Sequence, residues 1–373
     1  MSQNISYTPR KIIIYSVGLL GGSLGLAVRK AGYGGKIIGL SSPDGIAKAQ
    51  EVGCIDEGMG YDQLSKVVAE GGLLFLCSPI SGILQALDRL ADLELPANLI
   101  ITDIGSTKRR IVERARETLP SHVRFVGGHP MAGSEKRGPA AADPYLFQNS
   151  IYVLTPYAEQ PDDREKALGN FLEHHLGCRH VFINPDMHDT IAATVSHVPH
   201  LLAVTLVNLA GEIEQHVPGT LKLAAGGFRD MTRIASAPYG MWRDILSSNR
   251  TTISPLLDRY MTALRRMRDE MVDPGLGEAF ESAASIRGSI PANSKGFLRP
   301  LSEVLVIARD HPGAIVAIAR PLAENGINIK DIEVLKVREG EGGTIRLAFE
   351  SAQIAAQAVK ILSSAGFTAR ERD

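Results

Sequence analysis

Cysteine and aromatic residues are scarce in this chain, and neither sign of charge predominates. Among 373 residues there are three cysteines and one tryptophan, and aromatics make up 5%. Cys54, Cys77 and Cys178 lie far apart, which argues against a disulfide framework or a cysteine-based zinc site. Lys plus Arg number 40 against 41 Asp plus Glu, a net charge of -1 with no block of one sign. That balance argues against a nucleic-acid backbone or an anionic membrane surface as partner. A small molecule is expected instead. Low-complexity tracts and internal repeats are missing. The first eleven residues are polar, with neither a basic start followed by an apolar stretch nor an Arg-rich amphipathic pattern, and the chain reads as untargeted and cytoplasmic.

One charge-poor run, residues 190–211, has the length of a bilayer span. Ser196, His197, Pro199, His200 and Asn208 would carry unsatisfied polar groups and a helix breaker into hydrocarbon. The run reads as a helix buried in a large, oligomeric core.

What is present first is an alternation of short apolar runs with amphipathic stretches, the pattern of βαβ units and a parallel sheet. Strands are expected at 11–17, 36–40, 73–77, 99–103, 124–127 and 151–154, with helices such as 22–31, 46–52, 83–91 and 108–117 between them. The pair 162–176 and 180–183 closes a Rossmann-type α/β domain over 1–185. Helical periodicity then runs through 186–285, expected as an all-helical domain shared with a second copy of the chain. A Gly/Pro/Asn/Ser-rich linker is expected at 286–300, and a βαββα order over 301–373 predicts a small α+β domain.

The chemistry begins at Val17-Gly18-Leu19-Leu20-Gly21-Gly22-Ser23, after a hydrophobic strand and opening a helix. In a dinucleotide-binding turn, glycines let the backbone approach a pyrophosphate seated on the helix N-terminus. Ser16 stands at the first glycine position of G-x-G-x-x-G, with Gly18 and Gly21 at the second and third. After the second strand come Ser41 and Ser42 in place of the acid that favours NAD, and no Arg follows directly to pair with a 2′-phosphate. NAD and NADP both stay open. Ser78 and Pro79, after the third strand, complete the candidate cofactor contacts with Ser16, Gly18, Leu19, Leu20, Gly21 and Ser41. Two later loops lie at the carboxyl edge of the sheet. Asp103-Ile104-Gly105-Ser106-Thr107-Lys108 offers a hydroxyl and a cation, and the 127–136 loop offers His129 and Glu135. In the helical region, Ser196-His197-Val198-Pro199-His200 puts two imidazoles on one helical face, with His188 earlier. No Asp, Glu or Cys stands at ligand spacing beside them, so no metal is expected. Arg229, Arg233 and Arg243 lie near the single Trp242, a setting suited to carboxylate recognition.

Together these motifs, in this order from about Lys11 to Ala284, resemble the prephenate dehydrogenase family, which includes the arogenate and cyclohexadienyl dehydrogenases. The resemblance implies oxidative decarboxylation of prephenate to 4-hydroxyphenylpyruvate, or of arogenate to tyrosine, with hydride transfer to NAD or NADP. It implies that His129 is the catalytic histidine at the ring hydroxyl, with Ser106 orienting the two. Arg233 then matches the arginine for the ring carboxylate and His200 the residue at the side chain, while His188, His197, Glu135 and Trp242 match further active-site or interface positions. The tail resembles an ACT domain through Asp310-His311-Pro312-Gly313 and Asn328, which implies feedback by tyrosine. Two other readings compete. A hydroxyacid dehydrogenase with a helical dimerisation domain would use a catalytic lysine, which the His129 loop and Arg233 fit poorly. A non-catalytic regulator binding a nucleotide and an amino acid is suggested by Ser16 and the tail.

Overall fold

Lys11–Tyr15 (β1) is buried along its whole length, as a strand with both faces covered must be. Its period-2 alternation divides it between two cores. Ile12 and Ile14 pack with Leu24, Val28 and Phe171 on one side of the sheet, whereas Ile13 and Tyr15 pack with Ile83, Leu87 and Ile111 on the other. Each such side chain contributes about 1.5–3 kcal/mol on burial. The computed structural model describes residues 7–133, 136–158, 160–272, 275–290, 301–308, 311–338 and 342–372. The chain divides into two units, Met1–Met271 and Val272–Asp373.

In the first unit β1 is followed by α1 (Leu19–Lys30), β2 (Lys36–Leu40), α2 (Pro43–Val52), β3 (Glu57–Met59), α3 (Leu64–Val68), β4 (Gly72–Leu76) and α4 (Ile80–Ala91). Then come β5 (Leu99–Asp103), α5 (Arg109–Thr118), β6 (Arg124–Pro130), β7 (Ile151–Thr155), α6 (Asp163–Leu176) and β8 (Arg179–Phe182). The sheet order is β3-β2-β1-β4-β5-β6-β7-β8, parallel throughout except between β6 and β7. The order reverses at β1 and β4, which opens a crevice at their carboxyl ends, where open α/β sheets bind ligands. The short β3 escaped the sequence reading because it holds only three half-buried residues, Glu57, Gly58 and Met59.

The helical part of this unit starts with a continuous helix of 32 residues, Pro185–His216. It comprises α7 (Pro185–Ala192), a π-helical turn at Ala193–His197 and α8 (Val198–His216). Pro199 lacks a backbone N–H and would crowd the turn before it in a regular helix; the wider π turn accommodates it. α9 (Gly226–Thr232), α10 (Tyr239–Ser248) and α11 (Arg250–Asp269) follow. Ala193, Val198 and Ile253 form a small core here, with Leu201, Leu202, Leu246 and Leu256 packed on it. The expected burial of the charge-poor helix is not achieved within one chain: of its most apolar 18 residues 33% are buried, and Val195 and Leu209 are 62% and 53% exposed. By length and composition alone this helix would also reach across a membrane.

The second unit holds α12 (Leu276–Ser289), β9 (Ser302–Ala308), α13 (Ala314–Glu324), β10 (Asp331–Arg338), β11 (Gly342–Phe349), α14 (Ala352–Ser364) and β12 (Thr368–Glu371). Residues 286–289, expected at the start of a linker, form the last turn of α12, and 291–300 lie outside the described residues. The sheet is antiparallel in the order β10-β11-β9-β12. Val304, Val306, Ile345, Leu347 and Phe349 pack against Ile318 and Leu322 of α13 and Ala358 and Leu362 of α14. On β11, Arg346 is 3% exposed and reaches Glu333, Glu303 and Asp331 at 2.8, 2.7 and 2.6 Å. The closing strand β12 makes the order βαββαβ; the sequence reading missed it because its four residues are polar or half-exposed and only pairing with β9 defines them.

Candidate active site

Ser16 ends the turn after β1 with φ +74°, in the left-handed region that favours glycine. Its amide donates to the Leu40 carbonyl at 2.8 Å, and the Gly18 amide donates back to the Ser16 carbonyl at 3.1 Å, so the tight turn forms despite the side chain. A Cβ at Gly21 would meet the Ser16 carbonyl at 2.8 Å and Ile14 Cγ2 at 2.9 Å, so glycine there lets α1 press on β1. A Cβ at Gly18 would meet nothing within 4 Å. Gly18 is also the N-cap of α1 and supplies no side-chain cap, so the helix start at Leu19 and Leu20 is open to a ligand. Turn, open approach and close packing are the three requirements of a dinucleotide-binding turn, and these residues fit a nicotinamide cofactor. Pro79 is the N-cap of α4 and, with Ser78, follows β4 across the crevice. Ser41 is buried, and Ser42 caps α2 by accepting from the Gly45 amide at 3.2 Å.

His129 belongs to a strand rather than the expected loop, because β6 continues past its last pairing with β5 and is held by β7, with His129 opposite Val153. Gly128 makes this possible: a Cβ there would lie 2.4 Å from the Asp103 carbonyl oxygen. Asp103 accepts from the Gly128 amide at 3.0 Å and from the Gly105 amide at 2.7 Å, which ties the Ser106 loop to the His129 strand. Lys108, expected as a cation for a ligand, is fully buried instead. Its Nζ pairs with Asp103 and donates to the Gly128 carbonyl at 2.6 Å, so its charge is spent on the scaffold. Ser106 is half-buried, and its hydroxyl has no hydrogen bond among the described residues.

The nitrogens of His129 are assigned by a chain of contacts. Asp189 is completely buried, and its carboxylate accepts from the Lys108 and Arg109 amides at 2.6 and 3.1 Å. It also lies 2.8 Å from His188 Nδ1, which must therefore carry the hydrogen. His188 Nε2 is then an acceptor, and it receives His129 Nδ1–H at 2.8 Å. His129 Nε2 is left with its lone pair. Burial, with His188, Lys108 and His197 nearby, holds the His129 pKa well below the usual imidazole value, so the ring is neutral at pH 7.

Asn249 fixes the next histidine. Its Nδ2 donates to the Asp189 carbonyl at 2.8 Å and lies 3.3 Å from His197 Nδ1, so that nitrogen accepts and the His197 hydrogen sits on Nε2. Burial pushes the His197 pKa down to about 4. Trp242 gathers the remaining imidazoles: His200 stacks on it at 3.6 Å between ring centres and 10° between planes, and His197 meets it edge-on at 5.9 Å. The neighbouring Asp244 accepts from the Ser81 amide and hydroxyl at 3.0 and 2.6 Å, which ties α10 to the start of α4 beside the cofactor crevice. Arg243 pairs with Asp244 at 3.6 Å.

The structure thus brings together His129, His188, His197, His200 and Trp242. Arg233 opens a short 3-10 turn after α9; its side chain is exposed and joins none of these contacts. Glu135 and Asp310 lie outside the described residues. In the second unit, Gly313 adopts φ +90° as the N-cap of α13 without a side-chain cap, and His311 is exposed with Nδ1 3.0 Å from the Pro312 carbonyl. Sequence reasoning missed Asp189 and Asn249. The first had a signal in its adjacency to His188; the second had none, since only the fold brings it to Asp189.

Residues 24–181 match the nucleotide-binding domain of prephenate dehydrogenase, residues 184–282 its dimerization domain, and residues 302–367 the ACT domain. The chain is 37% identical over 344 residues to prephenate dehydrogenase of Bacillus subtilis (strain 168), which spans 91% of this chain and 92% of that one. Prephenate dehydrogenase of Aquifex aeolicus, solved with hydroxyphenyl propionate and NAD+, aligns with a TM-score of 0.68 at 30% identity, over 77% of this chain and 100% of that one. Synechocystis arogenate dehydrogenase aligns with a TM-score of 0.63 at 30% identity, over 74% and 99%. The chain belongs to the prephenate dehydrogenase family.

Proposed function

We propose that this chain oxidatively decarboxylates prephenate to 4-hydroxyphenylpyruvate in tyrosine biosynthesis, in the cytoplasm, with NAD or NADP accepting the hydride from the ring carbon that bears the hydroxyl. The observation that carries this reading is the unprotonated Nε2 of a neutral His129, set by the His188 and Asp189 contacts. His129 Nε2 takes the hydroxyl proton as the ring carbon becomes a carbonyl, and the charge gained is shared along His188 towards the Asp189 carboxylate. As the ring carboxylate leaves as carbon dioxide, its bonding electron pair enters the ring, the former carbonyl oxygen takes the proton back from His129, and a phenol results. The protein's task is position and charge.

Arg233 is assigned to the ring carboxylate, an anchor that holds a group due to leave. Ser106 orients substrate and His129, and His200, stacked on Trp242, serves the substrate side chain, while His188, His197, Glu135 and Trp242 are assigned to further active-site or interface positions. Arogenate is the alternative substrate, differing in an amino group for the keto group, and the likeness to Synechocystis arogenate dehydrogenase keeps it in view. Initial rates with both substrates and both cofactors test the assignment; prephenate turnover above arogenate turnover is expected, and the reverse would reassign the substrate.

Assembly and regulation complete the reading. The uncovered Val195 and Leu209 on a helix matched by a dimerization domain support a homodimer formed through that helix. A sedimentation mass of one chain at micromolar concentration would contradict it. For the ACT domain the ligand is tyrosine, with its carboxylate at the open start of α13. Asn328 belongs to the same site only across two copies. Register pairs Asp331 with Ala348 and Ala348 with Glu303, so Asn328, just before β10, lies at the Ser302 end of β9, whereas 311–313 follow its Ala308 end.

A further inference from the structure

Resting on the reading of the Ser16–Gly21 turn as the cofactor's, the ribose end of that site carries a cation that the local sequence lacks. The stretch Gly39-Leu40-Ser41-Ser42-Pro43-Asp44 contains no arginine. In the fold, a cleft of about 830 Å³ opens at the carboxyl end of β2, lined by Ser41, Ser42, Tyr61, Asp62 and Arg89 among others. Arg89 comes from the last turn of α4, far along the chain. Its Nη1 donates to Tyr15 Oη at 3.4 Å, and the Tyr15 ring in turn lies 4.9 Å from that of Tyr61, so the exposed guanidinium has one contact at the wall of the cleft. That bond is the only one the Arg89 side chain makes among the described residues, and a guanidinium has five N–H donors. Asp62 shares the cleft, with Oδ2 accepting from Gln63 Nε2 at 2.7 Å.

We propose that Arg89 binds the 2′-phosphate of NADP beside Ser41 and Ser42, and is the residue that makes this chain prefer NADP to NAD. No acid stands directly after β2 to repel a phosphate, and the guanidinium supplies bidentate donors for it. Asp62 works the other way, since a carboxylate disfavours the phosphate and suits free ribose hydroxyls. Arg89→Ala and Asp62→Asn therefore shift the preference in opposite directions.

The test is calorimetry on the full chain with adenosine 2′,5′-bisphosphate, the isomeric 3′,5′-bisphosphate and 5′-AMP. The wild type is expected to bind the 2′,5′ isomer about tenfold or more tighter than the other two. Arg89→Ala should erase that difference while 5′-AMP affinity moves by less than twofold, and Arg89→Lys should restore part of it. The ratio of kcat/KM for NADP over NAD should follow the same order. A wild type without preference for the 2′,5′ isomer overturns the proposal, as does an Arg89→Ala variant that weakens 5′-AMP equally, which would make Arg89 a stacking surface for adenine. Failure of 5′-AMP to bind at all overturns the cofactor reading of the turn as well, and so separates the two.

Discussion

His129 Nδ1 and His188 Nε2 lie 2.8 Å apart, and His188 Nε2 accepts because the His188 hydrogen sits on Nδ1, donated to Asp189. In the proposed mechanism the three residues act as one base. We expect His129→Asn to lower kcat by about 10²–10⁴-fold with little change in KM. His188→Phe, which removes the acceptor but keeps the bulk, should lower kcat by about 10–100-fold. Steady-state rates of the double variant should match those of His129→Asn alone, since parts of one unit are not additive. Multiplicative losses would separate His188 from the mechanism.

Ser16 provides a stability prediction. A serine at φ +74° stores strain of about 1–2 kcal/mol, and both hydrogen bonds of its turn are made by backbone atoms. Ser16→Gly keeps those bonds and releases the strain, offset by the greater freedom of glycine in the unfolded chain. The net gain should be about 0.5–1 kcal/mol by urea denaturation. A less stable variant would mean that the serine side chain is itself held by the fold.

Neutral histidines, one half-buried and one buried, make stability depend on pH. His129 and His197 titrate lower in the folded chain than in the unfolded chain, so below about pH 6.5 the unfolded state binds more protons and stability falls as pH falls. Denaturation midpoints should drop between pH 6.5 and 5, above the range where most carboxylates titrate. In His197→Asn the slope over this interval should be shallower. An unchanged slope would place the proton uptake elsewhere.

The tail is expected to work as a sensor. A chain ending at Ser289 should retain prephenate turnover and lose inhibition by tyrosine, whereas the full chain is inhibited through a coupling of about 1–3 kcal/mol. Equal tyrosine sensitivity in the two chains would move the inhibition to the active site.

How far these features could be read from residues alone depends on whether they are local. Ile12 to Ile14, the glycine turn at Gly18 and Gly21, and the apolar face of α13 are written in consecutive residues, and the strands and helices there form close to where the pattern puts them. Features made by partners distant in sequence stayed hidden. His129 belongs to a strand only because Val153 faces it, and Lys108 is a buried structural ion only because Asp103 and Gly128 close over it. Arg89 reaches the cleft beside Ser42 by way of α4, which no motif around Ser42 announces.

The measurement that bears most directly on the whole account is the pH dependence of kcat/KM for prephenate, which reports on groups in the free enzyme. A base that is neutral because burial and neighbouring charge lower its pKa predicts an acid limb with an apparent pKa below 6.5, with the residual rate of His129→Asn lacking that limb. A wild-type limb above 6.5, or the same limb retained in His129→Asn at near-normal kcat, would contradict the assignment of His129 Nε2 as the proton acceptor.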